Sequence, residues 1–267
     1  MAGRTVAPLV ALALAAAASS FAALAAPPSA PAPAQAKPSK PAASLLALLD
    51  RCVAAHGGAE ALSRADAFRL DGHVTSLLHP GAQGKISRVY SRPDRLRVEV
   101  AWPGEPTEVR VLEGTRGFRN GVPVQGPLFT SMLLQLVRLD LPWLLHQARA
   151  AAVDRGEVRL GTRTLRAVEI PLGDGLSVTA EIDPQTGLIA RSRTSGRATG
   201  PGAPPLEFST TYEEYRAVEG VQISFREGNW ANGRDTGVTT VEVVAVGSKT
   251  LDPGAAPAKS TSTRLAD

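Results

Sequence analysis

The sequence contains a single cysteine, Cys52, among 267 residues. One thiol cannot form an internal disulfide, so the fold must be stabilised by its core rather than by cross-links. Cys52 falls on the apolar side of a predicted helix. Cysteine at such a position is usually a small buried hydrophobe, and we favour that interpretation over a reactive thiol.

Motifs that carry chemistry are also scarce. No two of the four histidines stand at metal-ligand spacing with a carboxylate on the same face, which argues against a zinc site. The histidines are His56, His73, His79 and His146. There is no Gly-x-Ser-x-Gly elbow, and Gly173-x-Gly175 lacks the third glycine of a nucleotide fingerprint. The adjacent Glu213 and Glu214 lie in a predicted strand, so their side chains point to opposite faces. The sequence therefore predicts no enzyme, no metal site and no cofactor.

The predicted folded region lacks an excess of positive charge. The whole chain has 29 basic and 25 acidic residues and a pI of about 9.6. Residues 43–246 contain 23 of each sign, so the basic excess lies in the two ends. A nucleic-acid-binding protein concentrates positive charge on its folded surface, and nucleic acid is therefore not an expected partner.

Outside the N-terminus, no stretch of the sequence is long and apolar enough to cross a membrane. Arg4 precedes the uncharged stretch Val6–Ala18, and Ala23-Leu24-Ala25 fits the small-x-small cleavage pattern. We predict a cleaved signal peptide over residues 1–25 and a periplasmic location. A retained membrane anchor is the less favoured alternative, because the run is rich in alanine and is interrupted by Pro8.

Two further segments lack the residues of a hydrophobic core. Residues 26–42 contain six prolines and no large apolar side chain, which predicts a semi-rigid linker. Residues 247–267 are small, polar and proline-containing, which predicts a disordered tail. Between them, residues 43–246 are enough for one domain with a substantial core.

The predicted domain begins with a helix and continues as strands. The first segment has apolar residues at helical spacing: Leu45, Leu48, Leu49, Cys52 and Val53. From Ala67 onward the apolar period is two. The clearest strand alternates charged residues with an apolar set, Leu96, Val98, Val100 and Trp102. Short turns join about eleven such strands, which favours an antiparallel sheet.

One apolar segment interrupts the strands. Leu128–Leu145 has helical spacing, is divided by Pro142 and carries only two charges, Arg138 and Asp140. A helix that is apolar on nearly all sides must pack against something. We therefore predict a mainly β (α+β) fold, an incomplete antiparallel β-barrel of about eleven strands. The N-terminal helix and this insertion would cover its concave face and enclose an apolar cavity.

Four short motifs, taken in order, resemble one family. They are residues 55–62 (AHGGAEAL), 91–97 (SRPDRLR), 111–118 (VLEGTRGF) and 215–221 (YRAVEGV). Their succession is similar to that of the periplasmic lipoprotein-carrier (LolA/LolB-like) superfamily. The resemblance implies an incomplete antiparallel barrel, helices over its mouth and a cavity for the acyl chains of lipoproteins or other amphiphiles. It also implies that Arg92, which precedes a proline, helps to hold the helical lid closed.

These observations predict a divergent paralogue that carries or receives a lipid or a lipidated protein. The hydrophobic insertion, the linker and the tail depart from the carrier pattern, so the cargo is left open. The predicted cavity floor is Leu96, Val98, Val100 and Trp102. The predicted roof is Met132, Leu133, Leu136 and Val137, with Arg92 as the latch. The alternative is a non-enzymatic sensor or protein-interaction module, whose insertion docks transiently on a membrane or an envelope protein.

Overall fold

The computed structural model describes residues 42–197 and 205–247, which form four α-helices and thirteen strands. The helices are α1 (Ala43–Ala55), α2 (Gly58–Arg64), α3 (Gly126–Leu139) and α4 (Leu141–Gln147), followed by one 3-10 turn at Arg149–Ala151. The strands are β1 (Ala67–Thr75), β2 (Gln83–Ser91), β3 (Arg95–Ala101), β4 (Glu108–Glu113), β5 (Arg116–Arg119), β6 (Val122–Val124), β7 (Val153–Leu160), β8 (Arg163–Gly173), β9 (Leu176–Ile182), β10 (Ile189–Arg197), β11 (Pro205–Val218), β12 (Val221–Ala231) and β13 (Arg234–Val246). The predicted signal peptide, the predicted linker up to residue 41 and the predicted tail beyond residue 247 lie outside the described residues.

All thirteen strands belong to one antiparallel sheet. Their order is β6-β5-β4-β3-β2-β1-β13-β12-β11-β10-β9-β8-β7, so the first and last strands of the chain pair at the centre. Strands β6 and β7 form the two edges, and the sheet is therefore open rather than closed. The predicted mainly β architecture, an incomplete barrel with covering helices, is confirmed.

The strand count exceeds the prediction of about eleven. The shortest strand, β6, has only three residues, and its middle residue is Pro123. A proline weakens any strand signal in the sequence, because it cannot donate a hydrogen bond to a neighbour. An edge strand tolerates that loss, which is why Pro123 fits at this position.

The topology explains why α3 and α4 cover the sheet. They are the connection between β6 and β7, which lie at opposite edges, so this connection must cross one face of the sheet. Among the described residues, no single helix is long and apolar enough to span a membrane. Helices α3 and α4 reach that length and composition only together, and the chain bends by 79° between them.

The core lies between this face of the sheet and the helices. One cluster joins α1 and α4 to β8, β9 and β10, and a second joins α2 and α3 to β1 through β4. The predicted apolar stripe of α1 is buried in full: Leu45, Leu48, Leu49, Cys52 and Val53. Cys52 is a free, fully buried thiol, and burial raises its pKa to about 12. The prediction that Cys52 is a core hydrophobe is confirmed.

Two glycines fix the junction of α1 and α2 to the sheet. Gly57 has a φ of +118°, and a Cβ atom there would lie 2.2 Å from the carbonyl oxygen of Gly220, in the β11–β12 turn. Only glycine permits both the backbone conformation and this close approach. The contact places His56 against the sheet, where its carbonyl accepts a hydrogen bond from the Gln222 amide at 3.2 Å.

Candidate functional site

Strand β3 forms an apolar wall beneath helix α3. On β3, Leu96, Val98 and Val100 are buried. All eight predicted floor and roof residues belong to one hydrophobic cluster: Leu96, Val98, Val100, Met132 and Leu136 are buried in it, and Trp102, Leu133 and Val137 pack against it. The structure thus brings the predicted floor and roof together. Their role as cargo contacts stays a prediction.

Trp102 has a second partner at the end of the wall. Its ring stacks on His79 with a centroid distance of 3.9 Å and an interplanar angle of 9°. It also lies over Gly84, where a Cβ atom would come within 2.9 Å of the indole ring. Trp102 therefore closes the end of the apolar wall nearest the β1–β2 turn.

The predicted latch residue contacts the junction of the two covering helices. Arg92 donates two hydrogen bonds to the Asp140 carboxylate, from Nε at 2.6 Å and from Nη2 at 2.7 Å. Its Nη1 donates to the carbonyl of Leu62 at the end of α2, at 2.8 Å. The Tyr90 hydroxyl donates to the same carboxylate at 2.7 Å, and the guanidinium lies 4.5 Å from the centre of the Trp143 ring. Asp140 is the residue between α3 and α4, so this network ties both helices to the end of β2.

The latch is an ion pair removed from bulk water. The Arg92 and Asp140 side chains are only 14% and 12% exposed. Burial raises the pKa of the Asp140 carboxyl, and this outweighs the opposing effect of the hydrogen bonds from Arg92 and Tyr90. The carboxylate therefore depends on these two donors to stay charged in its buried position.

Two cavities lie at the C-terminal end of α3. The larger lies between α3 and strands β2, β4 and β11 to β13, and the smaller lies between the junction of α3 and α4 and strands β11 and β12. The larger has a volume of about 220 Å³ and the smaller about 70 Å³. They share four lining residues, Arg138, Leu139, Tyr212 and Glu227. None of the eight predicted floor and roof residues lines either cavity. Neither of these two cavities therefore lies between the predicted floor and the predicted roof.

The larger cavity is lined mainly by polar groups. Helix α3 contributes Ser131, Gln135 and Arg138, whose spacing of four and three residues places them on one side of the helix. The sheet contributes Arg88 and Glu227, together with Thr210, Asn229 and Thr239. The otherwise apolar helix α3 therefore directs its polar side inward, over a polar patch on the sheet.

Arg88 and Glu227 form a buried ion pair at the centre of this patch. Arg88 Nη1 donates to Glu227 Oε2 at 2.7 Å and Nη2 donates to Oε1 at 3.0 Å. The side chains are 5% and 10% exposed. Neither residue is among the site residues predicted from the sequence, although the sequence contains a signal for Arg88. Arg88 lies at period two between the apolar Ile86 and Tyr90, on the face that packs inward.

The histidines are distributed over several parts of the structure. His73 and His79 lie near Glu242 and Glu105, each at 3.3 Å, and His146 lies beside Trp143 in α4. Within residues 42–197 and 205–247, no group of three or more potential ligands is arranged to hold a metal ion.

His56 is the one fully buried histidine of the described residues. Its Nδ1 lies 2.8 Å from the Cys52 carbonyl, and its ring meets that of Tyr215 edge-on at 5.6 Å. Its Nε2 has no partner among the described residues. Burial lowers the pKa of His56 to about 4, so the ring is neutral at physiological pH.

Comparison with known proteins gives a match only at the level of structure. No family model and no curated protein matches the chain. A LolA superfamily protein from Nitrosomonas europaea is similar at 10% identity and a TM-score of 0.47, over 76% of this chain and 93% of that one. An outer membrane lipoprotein-sorting protein domain from Vibrio parahaemolyticus is similar at 7% identity and a TM-score of 0.40, over 75% and 91%. These names are those of the family that the sequence motifs resemble.

A third similar structure is a DUF1329 family protein from Desulfovibrio piger. It is 9% identical with a TM-score of 0.44, over 79% of this chain and 95% of that one. At such identities and TM-scores the likeness bears on neither cargo nor activity.

Proposed function

We propose that this chain is an exported, periplasmic binding protein that holds the acyl part of a lipid or of a lipidated protein between the apolar wall of β3 and helix α3. The observation that carries the proposal is the attachment of the covering helices. They lie on an apolar wall, and their junction is tied to the sheet by the buried Arg92–Asp140 ion pair. No catalytic residue is assigned.

An acyl chain can replace the apolar contacts that opening of the covering helices breaks. Lifting α3 exposes apolar surface on both the helix and β3, which is unfavourable in water. An acyl chain inserted between them restores that burial and contributes about 0.8 kcal/mol per methylene before the costs of association. The closed structure is therefore the cargo-free form in this proposal; α3 opens to admit the chain, and the latch forms again once the chain is in place.

A charged substitution in the roof tests the proposal. We expect Leu133→Glu to abolish saturable uptake of a fluorescent fatty-acid probe, because an unpaired carboxylate in an apolar site is strongly disfavoured. Circular dichroism should show an unchanged β-sheet signal. The matched control is Leu78→Glu, at a leucine that is 76% exposed in the β1–β2 turn; this variant should take up the probe like the wild type. Normal uptake by Leu133→Glu would show that the wall and roof do not hold the chain.

A second function, a sensor or protein-interaction module, is favoured by one observation. Leu77 and Leu78 are adjacent in the β1–β2 turn and are 67% and 76% exposed. Contiguous exposed apolar surface, when it forms a large enough patch, marks a site that contacts partners or membranes. Native mass spectrometry of the purified protein separates the two functions: co-purifying lipid supports the carrier, whereas a lipid-free protein in stable oligomers supports the module.

A further inference from the structure

We infer that the polar cavity beneath α3 binds an anionic head group, a carboxylate or a phosphate, with Arg138 as the main ligand. This inference rests on the proposed function, since it assigns to the same amphiphile a polar end as well as an acyl chain. The larger cavity lies next to the apolar wall and shares helix α3 with it. One side of α3 therefore faces an apolar site and another faces a polar one.

Arg138 lacks a hydrogen-bonding partner among the described residues. Among the described residues it makes no hydrogen bond and no ion pair, although it lines both cavities. Its electrostatic neighbours are Tyr212, Glu227 and Arg88. An arginine carries a fixed positive charge and five donors, and a protein interior rarely leaves these unused.

The carboxylates near Arg138 already accept hydrogen bonds from other arginines. Glu227 accepts both hydrogen bonds of Arg88. Arg110, which also lines the larger cavity, pairs with Glu108, and Glu108 in turn pairs with Arg119. Of the charged side chains that line the larger cavity, Arg138 is the one that forms no ion pair with another described residue.

A second unused donor points to the same ligand. Nε of Arg88 is buried and has no hydrogen-bond partner among the described residues. The cavity also offers neutral hydrogen-bonding groups from Ser131, Gln135, Thr210 and Asn229. A guanidinium with free donors, beside hydroxyl and amide groups, is the combination that binds carboxylates and phosphates. The volume of about 220 Å³ suits a head group rather than a whole amphiphile, because small-molecule pockets begin at roughly 300 Å³.

The test compares probes that share one chain and differ in the head group. Dodecanoate, dodecyl phosphate, dodecanol and dodecyltrimethylammonium are titrated against the full-length mature protein and against Arg138→Gln. We expect the wild type to bind an anionic probe about 10- to 100-fold more tightly than dodecanol, the range for hydrogen bonds to a charged group. Arg138→Gln should lose that preference and keep its affinity for dodecanol. Dodecanoate and dodecyl phosphate separate a carboxylate ligand from a phosphate ligand.

Two controls keep the result interpretable. Arg159→Gln, at an exposed arginine on β7, should leave every affinity unchanged. Arg138→Lys should retain part of the preference, because the charge remains while the planar donor pattern is lost. Removing an unpaired charge should not lower the urea midpoint, so an unfolded Arg138→Gln protein would itself contradict the assignment.

The outcomes distinguish this inference from the proposed function. If no dodecyl probe binds, the carrier function fails and the head-group site fails with it. If all four probes bind equally, and Arg138→Gln changes none of the affinities, the acyl site stands and the anionic site is refuted.

Discussion

Removal of the latch should open the covering helices without unfolding the sheet. In Arg92→Leu, the Asp140 carboxylate loses both guanidinium hydrogen bonds and stays in a position that is 12% exposed. Breaking a buried ion pair on one side costs about 3–5 kcal/mol. Because both side chains retain some contact with water, we expect the lower end, about 3 kcal/mol. That corresponds to a roughly 150-fold shift towards the open form.

Hydrogen exchange measured by mass spectrometry is the appropriate assay. Peptides covering α3 and α4 should exchange faster by about that factor, whereas peptides covering β8 and β9 should change little. Arg97→Leu is the matched control, since the Arg97–Glu99 pair is 50% and 41% exposed and such pairs contribute at most about 1 kcal/mol. If helix and sheet peptides of Arg92→Leu accelerate together, the ion pair stabilises the whole fold and the latch interpretation is wrong.

Two further predictions concern cargo length and pH. Probe-displacement affinities should rise about fourfold for each methylene added from octanoate to dodecanoate, because each buried methylene contributes about 0.8 kcal/mol; affinities that do not depend on length would contradict acyl burial. Burial lowers the pKa of His56 to about 4, whereas an unfolded histidine titrates near 6.5. The unfolded state therefore takes up a proton first as the pH falls, so the free energy of unfolding should decrease between about pH 6.5 and pH 4, by up to about 3 kcal/mol. In urea titrations His56→Gln should lack this part of the pH dependence, and an unchanged dependence would place its origin elsewhere.

The fold could be predicted because its strongest signals are local. The apolar residues of α1 recur at helical spacing, and those of β3 recur at every second position. Each pattern predicts one buried face, and both faces are buried in the structure. The break in period at Leu128–Leu145 located the helical connection, although it could not show that this connection joins the two edges of the sheet. That information depends on which strands pair, and pairing between β1 and β13 joins residues more than 160 positions apart.

The site could be predicted only in part, for a physical reason. The apolar residues of the wall recur at every second position of the sequence, so Leu96, Val98 and Val100 could be predicted. A polar cavity leaves a weaker signal, namely a charged residue at an otherwise apolar position of a strand. Glu227 follows Val221, Ile223 and Phe225 at period two, just as Arg88 falls between Ile86 and Tyr90. Two such exceptions on different strands indicate a buried ion pair, but only the sheet order shows that they meet.

The two charges of the apolar insertion have separate partners, and this separation links the latch to the cavity. Arg138 and Asp140 are two residues apart, which places them on nearly opposite sides of a helix end. Asp140 binds Arg92 at the end of β2, while Arg138 lines the cavities on the other side. Both charges sit at the end of α3, so one movement of that end must break the ion pair and withdraw Arg138 together. An anion bound to Arg138 would therefore favour the closed position of α3, and closure of the latch would in turn strengthen anion binding by the same free energy.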